Sequence, residues 1–517
     1  MTVYVVGLDG ADWSLLRRWM DEGALPAFER LCAEGVTGDL RSTLPPITFP
    51  AWKCYSTGKT PGKLGVYEWF SFDRERCEIA TNDSSDFRSR EYWDVLADAD
   101  RDAAVVNMPT THPPRTADGV LTVAGSPASE RGEFTSPESL KPDLLDAVPS
   151  YRVKPNLVLG EASPDELVTE ARTLVDQRFD AAEWFAAERD RDLVHLTVFI
   201  TDTVQHRLWD RPGHIRRLYE RIDDRLGELL DDEGTEAVFL MSDHGFVEID
   251  ETFLVNQWLA NRGDLVVGED SSRTVLSSLG LTEERLKRLV DRLGLVNLAQ
   301  AVVPESIQRR VPNESGRLSV QDAPVDWEQT KAISLGRGPV YVNDRAFDSD
   351  SSKAAYVEEL ATAFESLETP DGTPVAAAVH DPGDIYTGEM ALAPDLVVEY
   401  TTGVDAPESL GGEVFGERLE WLATHRHTGV FAAWGEDVAE RDEAAELSLY
   451  DLAPTILHRL GVAVPEDVDG DVAFDVLAGD AAARDVEVGP ATATGTGDRR
   501  ADQRDVEETL KDLGYVE

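Results

Sequence analysis

Cysteine is scarce in this chain. Three residues in 517, Cys32, Cys54 and Cys77, show no Cys-x-x-Cys spacing. An odd, unpaired set excludes a disulfide framework and a cysteine zinc site, so all three read as reduced structural thiols. Long apolar runs are missing too. Nothing approaches the ~18 consecutive apolar residues of a membrane helix, so no membrane partner is expected. The opening MTVYVVGLDG lacks the basic flank and small-residue cleavage site of a secretory signal. It reads as a buried strand, and the expected location is the cytoplasm. No internal repeat is visible.

Positive charge is the third shortage. Asp and Glu number 99 against 49 Lys and Arg, a net charge of −50, and only nine of the basic residues are Lys. Such a chain repels phosphate backbones, which excludes nucleic-acid binding through a broad basic patch. The acids are spread over the whole length. A partner-binding acidic patch would concentrate them. The spread fits a hydrated surface that stays soluble where salt screens repulsion, and it resembles the proteins of salt-loving archaea.

What is present is an α/β pattern. Apolar runs at 3–8, 103–108, 193–200, 236–241, 339–343, 395–400 and 429–434 alternate with amphipathic stretches. This predicts a mostly parallel central sheet flanked by helices. Helices are expected at WSLLRRWMDEG, LPAFERLCAEG, EYWDVLADA, IRRLYERIDDRLGELLDD and from Pro164 to about Arg191. Residues 1–485 form the expected catalytic domain, with 261–330 as a smaller helical cap or insertion. A flexible linker is expected over 486–503 and a helical tail over 504–517.

The acids and imidazoles that matter follow strands. Asp9 follows the first strand, and Asp243 and His244 follow the run 236–241. Asp202 and His206 follow the run 193–200 at a spacing of four, which puts both on one helical face within reach of one metal. His425 stands just before the run 429–434. In open α/β sheets, ligands collect at the carboxyl ends of strands. Taken singly, an Asp after a strand is often a helix cap. Taken together with Thr48, three Asp and three His make an N/O donor set that suits Zn²⁺ or Mn²⁺.

Several stretches resemble the type I phosphodiesterase/nucleotide pyrophosphatase family of the alkaline phosphatase superfamily. They include VVGLDGADW, STLPPITFPAWKCYSTGKTPGKLGVYEW, ITDTVQHRLW, MSDHGF and THRHTGVFAAWG, and the likeness runs from Val3 to about Gly470. The resemblance implies an alkaline-phosphatase-like fold and a two-metal hydrolase of small-molecule phosphoesters. It implies a phosphodiesterase or nucleotide pyrophosphatase acting through a phospho-threonine on Thr48. One metal would be held by Asp9, Thr48, Asp243 and His244. The other would be held by Asp202, His206 and His425, with His427 as the alternative to His425. Zn²⁺ is expected, Mn²⁺ the alternative. The chain departs from the family at Ala51, where relatives usually carry asparagine, and at Leu64, where many carry histidine.

Within PPITFPAWKCYSTG, Pro46 and Pro50 restrain the backbone around Thr48. Pro50 suits the first turn of a helix, and in-line attack tolerates little misplacement of the nucleophile. The competing reading makes Thr48 only a helix cap. Sulfatases of the superfamily need Cys or Ser in a C/S-x-P-x-R setting, which Thr48-Phe-Pro-Ala lacks. A phosphomonoesterase or phosphomutase is the nearest enzymatic alternative. A degenerate metal- or phosphate-binding protein would have lost ligands, and none of the seven is missing.

Overall fold

The run TVYVVGL forms the central strand Thr2–Leu8, buried at every position, as expected for a parallel strand covered on both faces. This is seen in a computed structural model that describes residues 1–189, 191–268, 318–388, 390–416, 418, 421–441, 446–494, 500–501, 506 and 509–510. Among the described residues the main sheet has nine strands. Thr2–Leu8 pairs in parallel with Leu193–Val198 on one side and Thr235–Met241 on the other. Beyond Leu193–Val198 lie Ala103–Val106 and Val120–Val123, both parallel, then the short antiparallel Thr135–Ser136. Beyond Thr235–Met241 lie Thr428–Gly435, Val36–Arg41 and Leu447–Ser448.

Thr428–Gly435 runs antiparallel to both of its neighbours. An antiparallel strand starts where its parallel neighbours end. The chain entering it therefore reaches the same sheet edge as the chain leaving Thr2–Leu8, Leu193–Val198 and Thr235–Met241. Val36–Arg41, flipped twice, also ends on that edge.

Alternate residues of the central strand feed two cores. Tyr4, Val6 and Leu8 pack with Leu16, Phe28, Phe179 and Leu226 of the helices Trp13–Asp21, Pro26–Ala33, Pro164–Arg189 and Pro212–Asp231. Val3 and Val5 pack on the other face with Trp52, Tyr55, Leu96, Leu452 and Ile456 of the helices Thr48–Thr57, Tyr92–Asp98 and Leu449–Arg459. The expected helices are thus formed, and the sheet is covered on both sides. Helix Thr48–Thr57 is buried at all ten positions and stops at Gly58, whose φ of 67° lies in the left-handed region that favours glycine.

Two expected strands belong elsewhere. Pro339–Val342 and Leu396–Tyr400 join Ala332–Ser334 and Ala376–His380 in a separate four-stranded antiparallel sheet. The reason is connection length. Only residues 335–338 separate Ser334 from Pro339, far short of the dozen or so residues of a parallel crossover. Most of the expected cap, including TEERLKRLVDRLG, lies outside the described residues. The stretch expected as a linker is tied down at several points. Val488–Gly489 pairs with Val464–Pro465, Arg90 N donates to Thr492 O, and Thr492 N donates to Asp467 Oδ1. In the tail, Val506 and Leu510 are helical and buried in the main core. The three cysteines are unpaired. Among the described residues no helix is long and apolar enough to cross a membrane.

Candidate active site

The seven residues singled out in the sequence meet at the sheet edge just described. Asp9 leaves the central strand. Asp202 and His206 sit on the helix Ile200–Leu208, one turn apart. Asp243 and His244 follow Thr235–Met241 directly, and His425 lies on the short strand Ala423–Arg426 that pairs with Gly245–Glu248. Thr48 is the first residue of its helix.

Two groups form. In one, Asp202 Oδ1 lies 3.2 Å from His206 Nε2 and 3.3 Å from His425 Nε2. In the other, His244 Nε2 lies 3.6 Å from Asp9 Oδ1, 3.3 Å from Asp243 Oδ2 and 3.1 Å from Thr48 Oγ1. The rings of His244 and His425 stack at 3.7 Å between centroids, joining the two groups. His427 stands apart, its Nε2 2.8 Å from Ser42 O.

The Thr48 hydroxyl does not cap its helix. Ile47 occupies the cap position, without a side-chain hydrogen bond, and the hydroxyl faces His244. Ala51 packs with Val3, Val5 and Val36 in the core on that face, and Leu64 packs in the other core.

Neighbours hold the ring and carboxylate orientations. His206 Nδ1 is 2.7 Å from Ala423 O, and His425 Nδ1 is 2.8 Å from Pro46 O. These contacts leave each Nε2 aimed inward, the usual way a second contact orients a liganding imidazole. Trp421 stacks on His206 at 3.4 Å, and Arg337 sits 4.1 Å above Trp421 while its fork is held by Asp405. Trp52 Nε1 donates to Asp9 Oδ2 at 2.8 Å, and Gly10 N donates to Asp243 Oδ1 at 3.1 Å. The sequence reading did not find Trp52, Trp421 or Arg337. Trp52 looks like core in sequence, and the other two come from segments with no chemical motif.

Charge is distributed unevenly. Burial first, then the charges of Asp243 and Asp202, hold Asp9 well above the usual carboxylate range; burial first, then the charge of Asp202, holds Asp243 above it too, though Gly10 N–H and the contact with Asp9 oppose the rise there. Burial pushes Asp202 upward as well, but His206 and His425 outweigh it and hold it well below that range. Burial pushes His206 and His244 down, with His425 adding to it at His244.

The residues fit divalent cations. Asp202, His206 and His425 can bring one donor atom each within 4.8 Å of one another, and so can Asp9, Asp202 and His244. Asp9 Oδ1 and Asp243 Oδ2 are buried with no hydrogen-bond partner among the described residues. A buried carboxylate oxygen without a donor is costly unless a cation faces it. The N/O donor types suit Zn²⁺ or Mn²⁺.

The fold has known counterparts. Phosphonoacetate hydrolase from Sinorhizobium meliloti 1021, in complex with phosphonoformate, superposes with a TM-score of 0.56 at 16% identity, over 88% of this chain and 94% of that one. Murine ectonucleotide pyrophosphatase/phosphodiesterase 5 gives 0.51 at 14% identity, over 92% and 100%. An inactive threonine-to-alanine variant of that murine protein, in complex with AMP, gives 0.53 at 13% identity, over 92% and 100%. These likenesses establish an alkaline-phosphatase-like fold. No curated protein matches the chain in sequence. The type I phosphodiesterase/nucleotide pyrophosphatase profile, however, matches residues 3–413. That match covers most of the chain, and the chain is accordingly a phosphoester hydrolase of the type I phosphodiesterase/nucleotide pyrophosphatase family.

Proposed function

We propose that the protein hydrolyses phosphodiesters of small molecules through a phospho-threonine on Thr48, at a centre of two divalent cations. The observation that carries this reading is the setting of Thr48 Oγ1, 3.1 Å from His244 Nε2 beside two buried carboxylate oxygens without partners. Asp9, Thr48, Asp243 and His244 would hold one cation, and Asp202, His206 and His425 the other. Bound there, the cations would supply Lewis-acid stabilisation of the phosphoryl oxygens. The chain's own part is positioning. Helix Thr48–Thr57 is buried on every side, so its first residue has little freedom. Thr48 Oγ1 gives up its proton and attacks phosphorus, the bond to one ester oxygen breaks and that alcohol leaves with a proton, and water then releases the remaining phosphate monoester from Thr48. The start of the same helix aims its positive end at the phosphoryl group.

Diesters are favoured because they need room for a second substituent. A cavity of about 310 Å³ borders the site, lined by Pro45, Pro46, Arg337, Asp405, His425 and Arg426. The inactive threonine-to-alanine form of the murine relative supports a threonine nucleophile. The test is a panel of nitrophenyl diester, nitrophenyl monoester and nucleotide substrates, in high salt with Zn²⁺ or Mn²⁺. Diesters should be cleaved fastest. Monoesters cleaved far faster under every metal would replace the diesterase with a phosphatase.

A further inference from the structure

Thr48 and Trp52 stand four residues apart on one helix, so both side chains project from the same face. Thr48 reaches His244. Trp52 reaches Asp9, its indole Nε1 donating to Oδ2 at 2.8 Å. The other Asp9 oxygen, Oδ1, is left 3.6 Å from His244 Nε2 without a hydrogen bond among the described residues. Asp243 is divided in the same way. Gly10 N occupies its Oδ1, and Oδ2 is left 3.3 Å from His244 Nε2. Each carboxylate thus gives one oxygen to a fixed protein donor and turns the other toward His244, whose Nε2 also meets Thr48 Oγ1.

The indole is seated for this contact. Trp52 is fully buried. The central strand makes room for it at Gly7, where a Cβ would come within 2.4 Å of Trp52 Cη2. Tyr55 and His195 stand edge-on to the ring at 5.9 and 6.1 Å. A buried indole N–H needs an acceptor in any case. Here the acceptor is a carboxylate whose second oxygen has none of its own partners.

We propose that Trp52 is a positioning residue for Asp9. Its N–H selects which carboxylate oxygen is left for the cation shared with Thr48, so one rigid helix sets both the nucleophile and a ligand of the ion beside it. This rests on the two-metal reading above. Contacts of this kind to a ligand are typically worth 10–100-fold in metal affinity.

The test is calorimetric titration of the chelator-stripped full chain with Mn²⁺ alone, for wild type, Trp52→Phe and Tyr55→Phe. Wild type should bind two ions. Trp52→Phe should weaken one of the two sites by about 10–100-fold and leave the other unchanged. Tyr55→Phe removes a buried hydroxyl from the same helix and the same aromatic cluster without touching Asp9. It should leave both sites at wild-type affinity. If the smaller ring unfolds the helix, 3-benzothienylalanine at position 52 keeps the bicyclic shape without the N–H and should give the same single-site loss. Wild-type affinity at both sites in the Trp52 variants overturns the proposal alone. So does equal weakening of both sites. A wild type that binds no Mn²⁺ overturns the two-metal reading and this proposal with it.

Discussion

Around Asp202, two imidazoles face one carboxylate; around His244, one imidazole faces two. His206 and His425 approach Asp202 Oδ1 at 3.2 and 3.3 Å, and its carboxyl is held well below the ordinary range despite burial. Asp9 and Asp243 converge on His244 from 3.6 and 3.3 Å, and burial together with the charge of Asp202 holds both well above that range. In the first half both imidazoles favour the ionised form of the one carboxyl. The second crowds two buried carboxyls, whose ionisation burial opposes, beside the proposed nucleophile. A cation would therefore be worth most beside the proposed nucleophile, and metal binding and stability would be coupled chiefly through that half.

The largest expected effect is on turnover. A strong chelator should abolish hydrolysis, and Zn²⁺ or Mn²⁺ should restore it. Elemental analysis of active protein purified without chelators should find two ions per chain; a value near zero in active protein contradicts the comparison at its root. Asp243→Ala and His425→Ala, one from each half, should both lose about three orders of magnitude or more in rate. Circular dichroism should show both still folded.

Stability in the metal-free state separates the halves by sign. Asp9→Asn or Asp243→Asn removes a repelling buried charge and should raise the urea unfolding free energy of chelated protein by about 1–3 kcal/mol. Asp202→Asn removes the partner of two imidazoles and should lower it by a similar amount. A shift of the same sign in all three variants would erase the distinction.

The pH dependence of chelated protein follows from the same directions. The folded-state values of Asp9 and Asp243 are raised above 3.8. Their contribution to stability is complete below about 3.8 and is lost as pH rises through the raised values. The folded-state value of Asp202 is lowered below 3.8. Its contribution is present above about 3.8 and is lost as pH falls through the lowered value. The gain from Asp9→Asn should therefore shrink on acidification from neutral pH, and the loss from Asp202→Asn should vanish only at strongly acid pH. Unfolding midpoints of the variants across a pH series would show either this crossing or parallel curves.

Per group, the smallest effect is at the surface. The net charge of −50 is spread over many exposed carboxylates, each worth only a fraction of a kcal/mol. Some are gathered on arginine forks, as where Arg225 meets Asp180, Glu183 and Glu228 at 2.6, 2.7 and 2.7 Å. Thermal midpoint and activity should fall as salt drops from molar to tens of millimolar. A flat midpoint over that range would show that the acidic surface is no adaptation to salt.

The site was legible in sequence because its chemistry obeys position. Asp9, Asp202, Asp243 and His244 all follow apolar runs, and His425 precedes one. The antiparallel direction of Thr428–Gly435 explains why a residue before a strand meets residues after strands. His425 and His427 could not be separated by composition; in the structure His425 faces Asp202 and His427 faces Ser42. Trp52 was illegible, since an aromatic in a buried helix looks like core until its N–H is seen on Asp9. The second sheet was misassigned because an apolar run names a strand and not its sheet. The four-residue gap before Pro339 was the missed signal.

The central claim is that the Thr48 hydroxyl is the nucleophile and not part of a helix cap. The direct measurement is turnover and unfolding midpoint on the same sample of Thr48→Ala, with Thr48→Ser beside it. Thr48→Ala should lose at least about three orders of magnitude in rate with its midpoint nearly unchanged. Thr48→Ser should keep part of the activity, since a hydroxyl remains beside His244. A Thr48→Ala protein that turns over normally but has lost about 1 kcal/mol of stability would contradict the account.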